Sequence, residues 1–160
     1  MDTNAVYQKP TDEEIKTLLN EKFEGKVNVT KIETRRVYAT VPRELIHQVC
    51  EYIHDNLTFE HISTVIGVDM IDNLRVVYHI DNYFNGCVIE LTVDIPNDDP
   101  HVASISDIWV GGNWHERETY ELFGIIFDGH PHLARLLTPD TYEFYPFRKS
   151  YKLRPASSLT

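Results

Sequence analysis

Residues 59–95 contain three successive segments that are rich in β-branched and aromatic side chains, and they constrain the fold more than any other part of the sequence. They read FEHISTVIGVDMI, LRVVYHIDNYF and GCVIELTVDI. Such segments favour β-strands. The intervening DN and NG pairs are turn signals, and Asn85-Gly86 is typical of a tight hairpin. The pattern predicts three strands of an antiparallel meander.

Two helices and two strands are predicted ahead of this meander. Residues 11–22 have a capping-box pattern in Thr11 and Glu14, followed by one apolar stripe. Segments 27–33 and 35–42 alternate as half-buried strands, and 43–57 places apolar residues at helical spacing after a proline. The order predicts an α+β fold of two layers, with helices on one face of a mixed or antiparallel sheet.

The residue pattern changes after Pro100. We predict a short helix around 101–107, a break at Gly111-Gly112, and a second helix that Asn113 caps and Gly124 ends. The remaining residues contain four prolines and little periodicity, which is unusual for a free surface loop of that length. We therefore expect an α+β domain over 1–100, and a helical motif with an extended, partner-binding C-terminal segment over 101–160, in one structural unit.

Composition excludes several classes of protein. The net charge of −10 argues against nucleic acid as a main partner, although residues 148–160 carry four basic side chains and no acid. No apolar run is long enough for a membrane span, and the polar, acidic start is unlike a signal peptide, so we expect a cytosolic location. Two cysteines, Cys50 and Cys87, cannot by themselves hold an iron–sulfur cluster or a four-cysteine zinc site.

The segment NWHERETYELFG, at 113–124, contains the densest group of ionisable side chains. A metal or acid-base site could be built from His115, Glu116, Glu118, Glu121, His130 and His132. The spacing lacks the HExxH pattern of helical zinc sites, whereas Arg117 and Glu121 have the i, i+4 spacing of an ion pair. We therefore predict a charge-compensated helix face, and a hydrogen-bonded turn role for His130. A metallohydrolase using His115, His130 and His132, and a binding module with an anion site at the basic end, are the alternatives.

An ordered set of residues between Trp114 and Tyr151 resembles the signature of the NADH dehydrogenase (complex I) thirty-kilodalton subunit family, whose members are also called C-type subunits. The matching positions are Trp114, Glu116-Arg117-Glu118, Tyr120-Glu121, Phe123-Gly124, Gly129-His130-Pro131, Leu133, Arg135 and Pro146-Phe147-Arg148-Lys149. The chain departs from the family at Phe147 and Ser150, where leucine and aspartate are usual.

The resemblance implies a peripheral-arm subunit that has no cofactor and no catalytic residues of its own. Relatives pack against a D-type subunit, related to the large subunit of nickel-iron hydrogenases, and near B-type and I-type iron–sulfur subunits. Iron–sulfur clusters and flavin are expected in those partner subunits, and the assembly is expected on the cytoplasmic side of the membrane. The residues that the family motif marks as partner-interface positions are Trp114, Glu116, Arg117, Glu118, Glu121, Phe123, His130, Pro131, Arg135, Tyr145, Pro146, Arg148 and Lys149.

The short chain and its Pro-Phe-Arg-Lys-Ser variant favour one branch of these ion-pumping oxidoreductases. That branch is the membrane-bound dehydrogenase of methanogens, which oxidises a reduced deazaflavin (coenzyme F420H2) and passes electrons to a phenazine. The NADH- and quinone-linked form, photosynthetic ferredoxin-dependent complexes and energy-converting hydrogenases remain alternatives.

Overall fold

The computed structural model describes residues 10–152. The predicted basic end therefore lies within the described residues only as far as Lys152, and Arg154 lies outside them. Among the described residues, no helix is long and apolar enough to cross a bilayer.

The first half of the chain forms the predicted elements. Helix α1 (Asp12–Lys22) begins at Thr11, whose side chain and that of Glu14 make the expected capping box. Strands β1 (Asn28–Glu33) and β2 (Arg36–Thr40) are antiparallel. Helix α2 (Ile46–Leu57) follows a single 3-10 turn, Arg43–Leu45, so the predicted helix is confirmed except for its first turn.

The meander is also confirmed. It consists of β3 (His61–Asp69), β4 (Asn73–Asn82) and β5 (Cys87–Pro96), and the sheet has the order β1-β2-β5-β4-β3. All neighbouring strands are antiparallel except β2 and β5, which are parallel. The crossover through α2 makes β3 run in the same direction as β2, and the two hairpin reversals that follow give β5 that direction as well. The sheet is therefore mixed, and the predicted α+β class is correct.

One face of the sheet supplies most of the core. Alternate residues of β4 and β5 are fully buried, as in the cross-strand pairs Val76–Val93 and Tyr78–Leu91. The apolar stripes of α1 and α2 join them in a single hydrophobic cluster. The opposite face is half-exposed and carries polar cross-strand pairs such as Arg75–Asp94. This alternation is what period-2 strand geometry requires when helices cover one side.

The predicted helix around 101–107 is wrong. Residues His101–Ala103 form β6, which pairs in parallel with β7 (Ile126–Asp128). The main chain just after β6 also bonds to β7, because the Ser104 N–H donates to the Asp128 carbonyl at 2.8 Å. Ile105 and Phe127 are buried in the same hydrophobic cluster as the meander.

Helix α3 spans Gly112–Phe123 and begins two residues earlier than the predicted cap at Asn113 implies. The residue before it is Gly111, and no side chain caps this end, so the predicted Asn113 cap is wrong. The predicted C-terminal end is confirmed: Gly124 has φ +72°, and its N–H donates to the Tyr120 carbonyl. A positive φ is tolerated best by glycine, which explains the residue.

Candidate functional site

Helix α3 lies directly on the outer edge of the sheet. The Thr119 hydroxyl donates to the Val65 carbonyl of β3 at 3.1 Å. Gly67, two residues further along β3, makes the close approach possible, because a Cβ there would lie 2.6 Å from Cδ2 of Phe123. These contacts fix the position of α3 against β3.

Glu116 projects inward and is fully buried. Its carboxylate accepts hydrogen bonds from the Ser104 hydroxyl at 2.6 Å and from the Ile105 N–H at 2.7 Å. Burial raises the pKa of Glu116 to about 7, although these two donors oppose that shift. This carboxylate ties α3 to the turn after β6 and is not available to a partner.

His130 lies beside Glu116. Its Nε2 is 3.2 Å from the Asn113 carbonyl and 3.9 Å from the Glu116 carboxylate, while its Nδ1 accepts the N–H of His132 at 3.0 Å. These partners assign the neutral tautomer with the proton on Nε2. Burial lowers the pKa of His130, which agrees with that assignment. The predicted hydrogen-bonded turn role is confirmed.

The raised pKa of Glu116 predicts a pH-dependent stability. The folded pKa of about 7 exceeds the usual 4.5, so the contribution of Glu116 is complete below about pH 4.5 and is lost as pH rises through 7. We expect Glu116→Gln to remove a decline of about 2 kcal/mol in unfolding free energy between pH 5 and 7. Denaturant titrations of wild type and variant at each pH measure it, and parallel profiles would contradict the assignment. Asp107 opposes and His47 favours the charged form, and both are retained in the variant.

Glu121 lies on another side of α3, and its pKa is lowered where that of Glu116 is raised. Its buried carboxylate accepts from three consecutive main-chain N–H groups, those of Leu136, Leu137 and Thr138. Burial works against ionisation, but the hydrogen bonds of Thr138 and of the main chain outweigh it and lower the pKa of Glu121 to about 2. The carboxylate therefore holds the chain after β7 against the helix.

The predicted ion pair between Arg117 and Glu121 is wrong. The Arg117 guanidinium donates instead to the main-chain carbonyls of Ala134 (3.0 Å) and Arg135 (3.3 Å), and its centre lies 5.0 Å from the Trp114 ring. Glu121 is already saturated by main-chain donors, so each side chain finds backbone partners in the same passing segment. This face of α3 therefore binds the main chain of the segment that follows β7.

Two more arginines complete this fastening. Arg135 donates to the Thr138 hydroxyl and to the Phe144 carbonyl, both at 3.0 Å, and Arg148 donates to the Phe123 carbonyl at 2.6 Å. Both guanidinium centres lie over the ring of Tyr145, at 5.5 and 5.6 Å. We call residues 133–149 the C-terminal strap, because main-chain and side-chain bonds hold it along α3.

The other predicted interface residues are displayed outward or hold the strap at its ends. Lys149 donates its N–H to Asp69 at 2.8 Å. Phe123 packs edge-on against Phe147 with ring centroids 5.8 Å apart. Trp114 is 62% exposed. Glu118 and Pro131 are also exposed, and Pro146 is half-buried.

Sequence reasoning missed the groups that receive these side chains. Ala134, Leu136 and Leu137 act through main-chain N–H and C=O groups, which no side-chain motif reveals. Gly67 and Asp69 were likewise absent from the predicted site, and only their proximity to α3 and the strap identifies them.

Metal chemistry finds no support in the described residues. No group of three or more histidine, cysteine, aspartate or glutamate side chains within residues 10–152 is placed to hold a metal ion. His130, which the metallohydrolase hypothesis requires, engages both ring nitrogens with main-chain groups.

The fold and the site define a small α+β domain with a C-terminal strap fastened along one helix. The family model for the respiratory-chain NADH dehydrogenase 30 kDa subunit matches residues 39–157, and the chain belongs to this family. The family suggested by the sequence motif is therefore correct.

Two curated relatives show how length differs within the family. The chain is 39% identical over 138 residues to the C-type subunit of F420H2 dehydrogenase from Methanosarcina mazei, covering 84% of this chain and 87% of that protein. It is 43% identical over 117 residues to the C-type subunit of NADH-quinone oxidoreductase from a Nocardioides species, covering 69% of this chain and 47% of that protein. The chain thus spans about half the length of the second relative.

Two solved structures share the fold. A trypsin-resistant fragment of Nqo5 superposes with a TM-score of 0.65 and 24% identity, covering 74% of this chain and 98% of the fragment. A chain from the membrane-bound sulfane sulfur reductase, an archaeal respiratory membrane complex, gives a TM-score of 0.76 at 24% identity, covering 88% of this chain and 85% of that chain. At this identity the likeness concerns the fold alone.

Proposed function

We propose that this chain is a cofactor-free, non-catalytic peripheral-arm subunit of a membrane-bound, ion-pumping complex I-like oxidoreductase. The observation that carries this is the 39% identity to the C-type subunit of F420H2 dehydrogenase, which extends over 87% of that protein. In this proposal the enzyme passes electrons from a reduced deazaflavin to a phenazine. Iron–sulfur clusters and flavin belong to its partner subunits.

The mechanical role in this proposal is to hold a D-type subunit against the B-type and I-type iron–sulfur subunits. Electron transfer between redox groups weakens steeply with distance, so a rigid clamp matters even without a redox group of its own. The strap fits such a role because Glu121, Arg117 and Arg135 form hydrogen bonds with its main-chain groups and hold it in one conformation. Partners would then meet an ordered surface, which reduces the entropy lost on association.

Co-purification tests this function. A tagged chain is expressed in its native cells, membranes are extracted with mild detergent, and the tagged material is assayed with reduced deazaflavin, NADH and reduced ferredoxin. We expect a large complex that contains a hydrogenase-like large subunit and oxidises reduced deazaflavin. Oxidation of ferredoxin instead would assign the chain to the ferredoxin-dependent or hydrogenase branch. Recovery as a single soluble chain would contradict the proposed role in an assembly.

Arg117→Ala provides a more specific prediction. The variant loses two hydrogen bonds to the strap and the contact with Trp114, while the sheet, α1 and α2 keep their core. We expect recovery of the assembled complex to fall about fivefold or more, and unfolding free energy of the purified chain to fall by only about 1–2 kcal/mol. Normal complex levels together with an unfolded chain would contradict the clamp.

A further inference from the structure

A groove beside the strap is lined by apolar side chains and ends at a carboxylate. It lies between β3 and α3, has a volume of about 410 Å³, and its floor includes Gly67 and Phe123. Phe147 forms one wall and is 59% exposed, and Ile66 on β3 is 43% exposed. Glu118 stands at the rim and has no hydrogen bond or ion pair among residues 10–152.

The β3–β4 turn extends this apolar surface. Asp69 accepts the Lys149 N–H, which brings the turn alongside the part of the strap that carries Phe147. Beyond Asp69, Met70 is 41% and Ile71 67% exposed. We call the groove, together with the exposed turn residues that follow Asp69, the groove–turn surface; its members are Ile66, Met70, Ile71, Phe147 and the rim carboxylate of Glu118.

Ile71 is exposed and has an unfavourable backbone conformation. Its φ is +77°, a region that β-branched residues almost never occupy. Two side chains maintain it: Asp69 accepts the Ile71 N–H at 2.7 Å, and Asn97 donates to the Ile71 carbonyl at 2.8 Å. Strain that surrounding groups enforce clusters at binding sites. Here the strained residue carries an exposed apolar side chain two residues after Asp69, which binds the strap.

We propose that the groove–turn surface receives a segment of a neighbouring subunit that carries an apolar side chain next to a lysine or arginine. This rests on the proposed function. The apolar side chain would cover Phe123 and Phe147, and the cation would pair with Glu118. An anionic lipid surface fits poorly, because the only unpaired charge at the described groove is negative. A second copy fits poorly too, since two Glu118 rims would face each other.

Photo-cross-linking in the intact complex tests this. Phe147→p-benzoylphenylalanine is introduced into the tagged chain, the complex is purified and irradiated, and cross-linked peptides are sequenced by mass spectrometry. We expect one product with a peptide of a neighbouring subunit that contains lysine or arginine. Tyr83→p-benzoylphenylalanine is the matched control, since Tyr83 is an aromatic residue 70% exposed at the β4–β5 turn.

Other cross-linking results would overturn the proposal. These are a product between two copies, a product with residues 153–160 of the same chain, the same partner peptide from both probes, or none from residue 147 while the complex is still recovered. In that last case the proposed function stands and only the groove–turn assignment fails. Loss of all co-purifying subunits from the unsubstituted tagged chain would instead remove the proposed function itself.

Charge reversal gives an independent measurement. Glu118→Lys is expected to lower recovery of the complex about fivefold or more, because it opposes a cation on the partner. Glu13→Lys makes the same charge change at an exposed position of α1, and we expect less than a twofold effect. Equal recovery of the two variants would overturn the charge pairing. Unchanged melting temperatures of both purified chains show that folding is not the cause.

Discussion

Replacing Glu121 with glutamine is expected to destabilise the protein by about 3 kcal/mol and to release the middle of the C-terminal strap. The carboxylate accepts from three main-chain N–H groups, and a carboxamide has one oxygen and adds two donors that would face those same N–H groups. Hydrogen exchange would show it, because the amides of Leu136, Leu137 and Thr138 should lose their protection while those of β4 keep theirs.

A neighbouring carboxylate supplies the control. Glu118→Gln changes the same charge three residues earlier on α3, at an exposed position, and should alter stability by less than about 0.5 kcal/mol. The low pKa of Glu121 adds a pH test: its contribution is present above about pH 4.5 and is lost as pH falls toward 2. Retained protection of the strap amides in Glu121→Gln would show that the strap is held by other groups.

Gly124→Ala is expected to be the second severe substitution, with a loss of about 3 kcal/mol in unfolding free energy. The residue has φ +72°, and a Cβ would lie 2.5 Å from the Tyr145 ring. That ring packs under Arg135 and Arg148, so moving it disturbs both guanidinium contacts. Denaturant unfolding measures the loss, and near-ultraviolet circular dichroism reports the displaced tyrosine.

Gly25→Ala separates the two causes. Gly25 has nearly the same conformation, φ +75°, and a Cβ there would meet no atom within 4 Å. We expect it to cost only the backbone term, about 1 kcal/mol. The difference between the two variants measures the contact with Tyr145. Equal losses would mean that the ring moves aside freely and that the strap is not tightly packed at this point.

Most charged residues of the family motif act within their own chain. Seen as a sequence, its glutamates and arginines suggest charges offered to a partner. In the structure, Glu116, Glu121, Arg117, Arg135 and Arg148 all bind groups of their own chain, mostly main-chain atoms. The motif therefore secures the shape of the strap, and side chains that remain exposed, such as Trp114, Glu118 and Phe147, are better suited to contact a neighbour.

Local chemistry in the sequence determined the α+β body. The capping box at Thr11, the alternation along β4 and β5, and the helical stripe of α2 each act over a few residues, so their outcome is visible in the letters themselves. The motif from Trp114 to Lys149 likewise identified the family, because an ordered set of side-chain types is a property of sequence.

Tertiary structure alone decided how the second part of the chain is used. The strand at His101–Ala103 forms because β7, more than 20 residues later, offers main-chain partners beside it. Arg117 and Glu121 have the spacing of an ion pair, yet both bind the strap, since several backbone groups at fixed positions saturate each charge better than one flexible side chain. Main-chain donors and acceptors are the same for every residue type, so only their placement in space shows which charged side chain they satisfy.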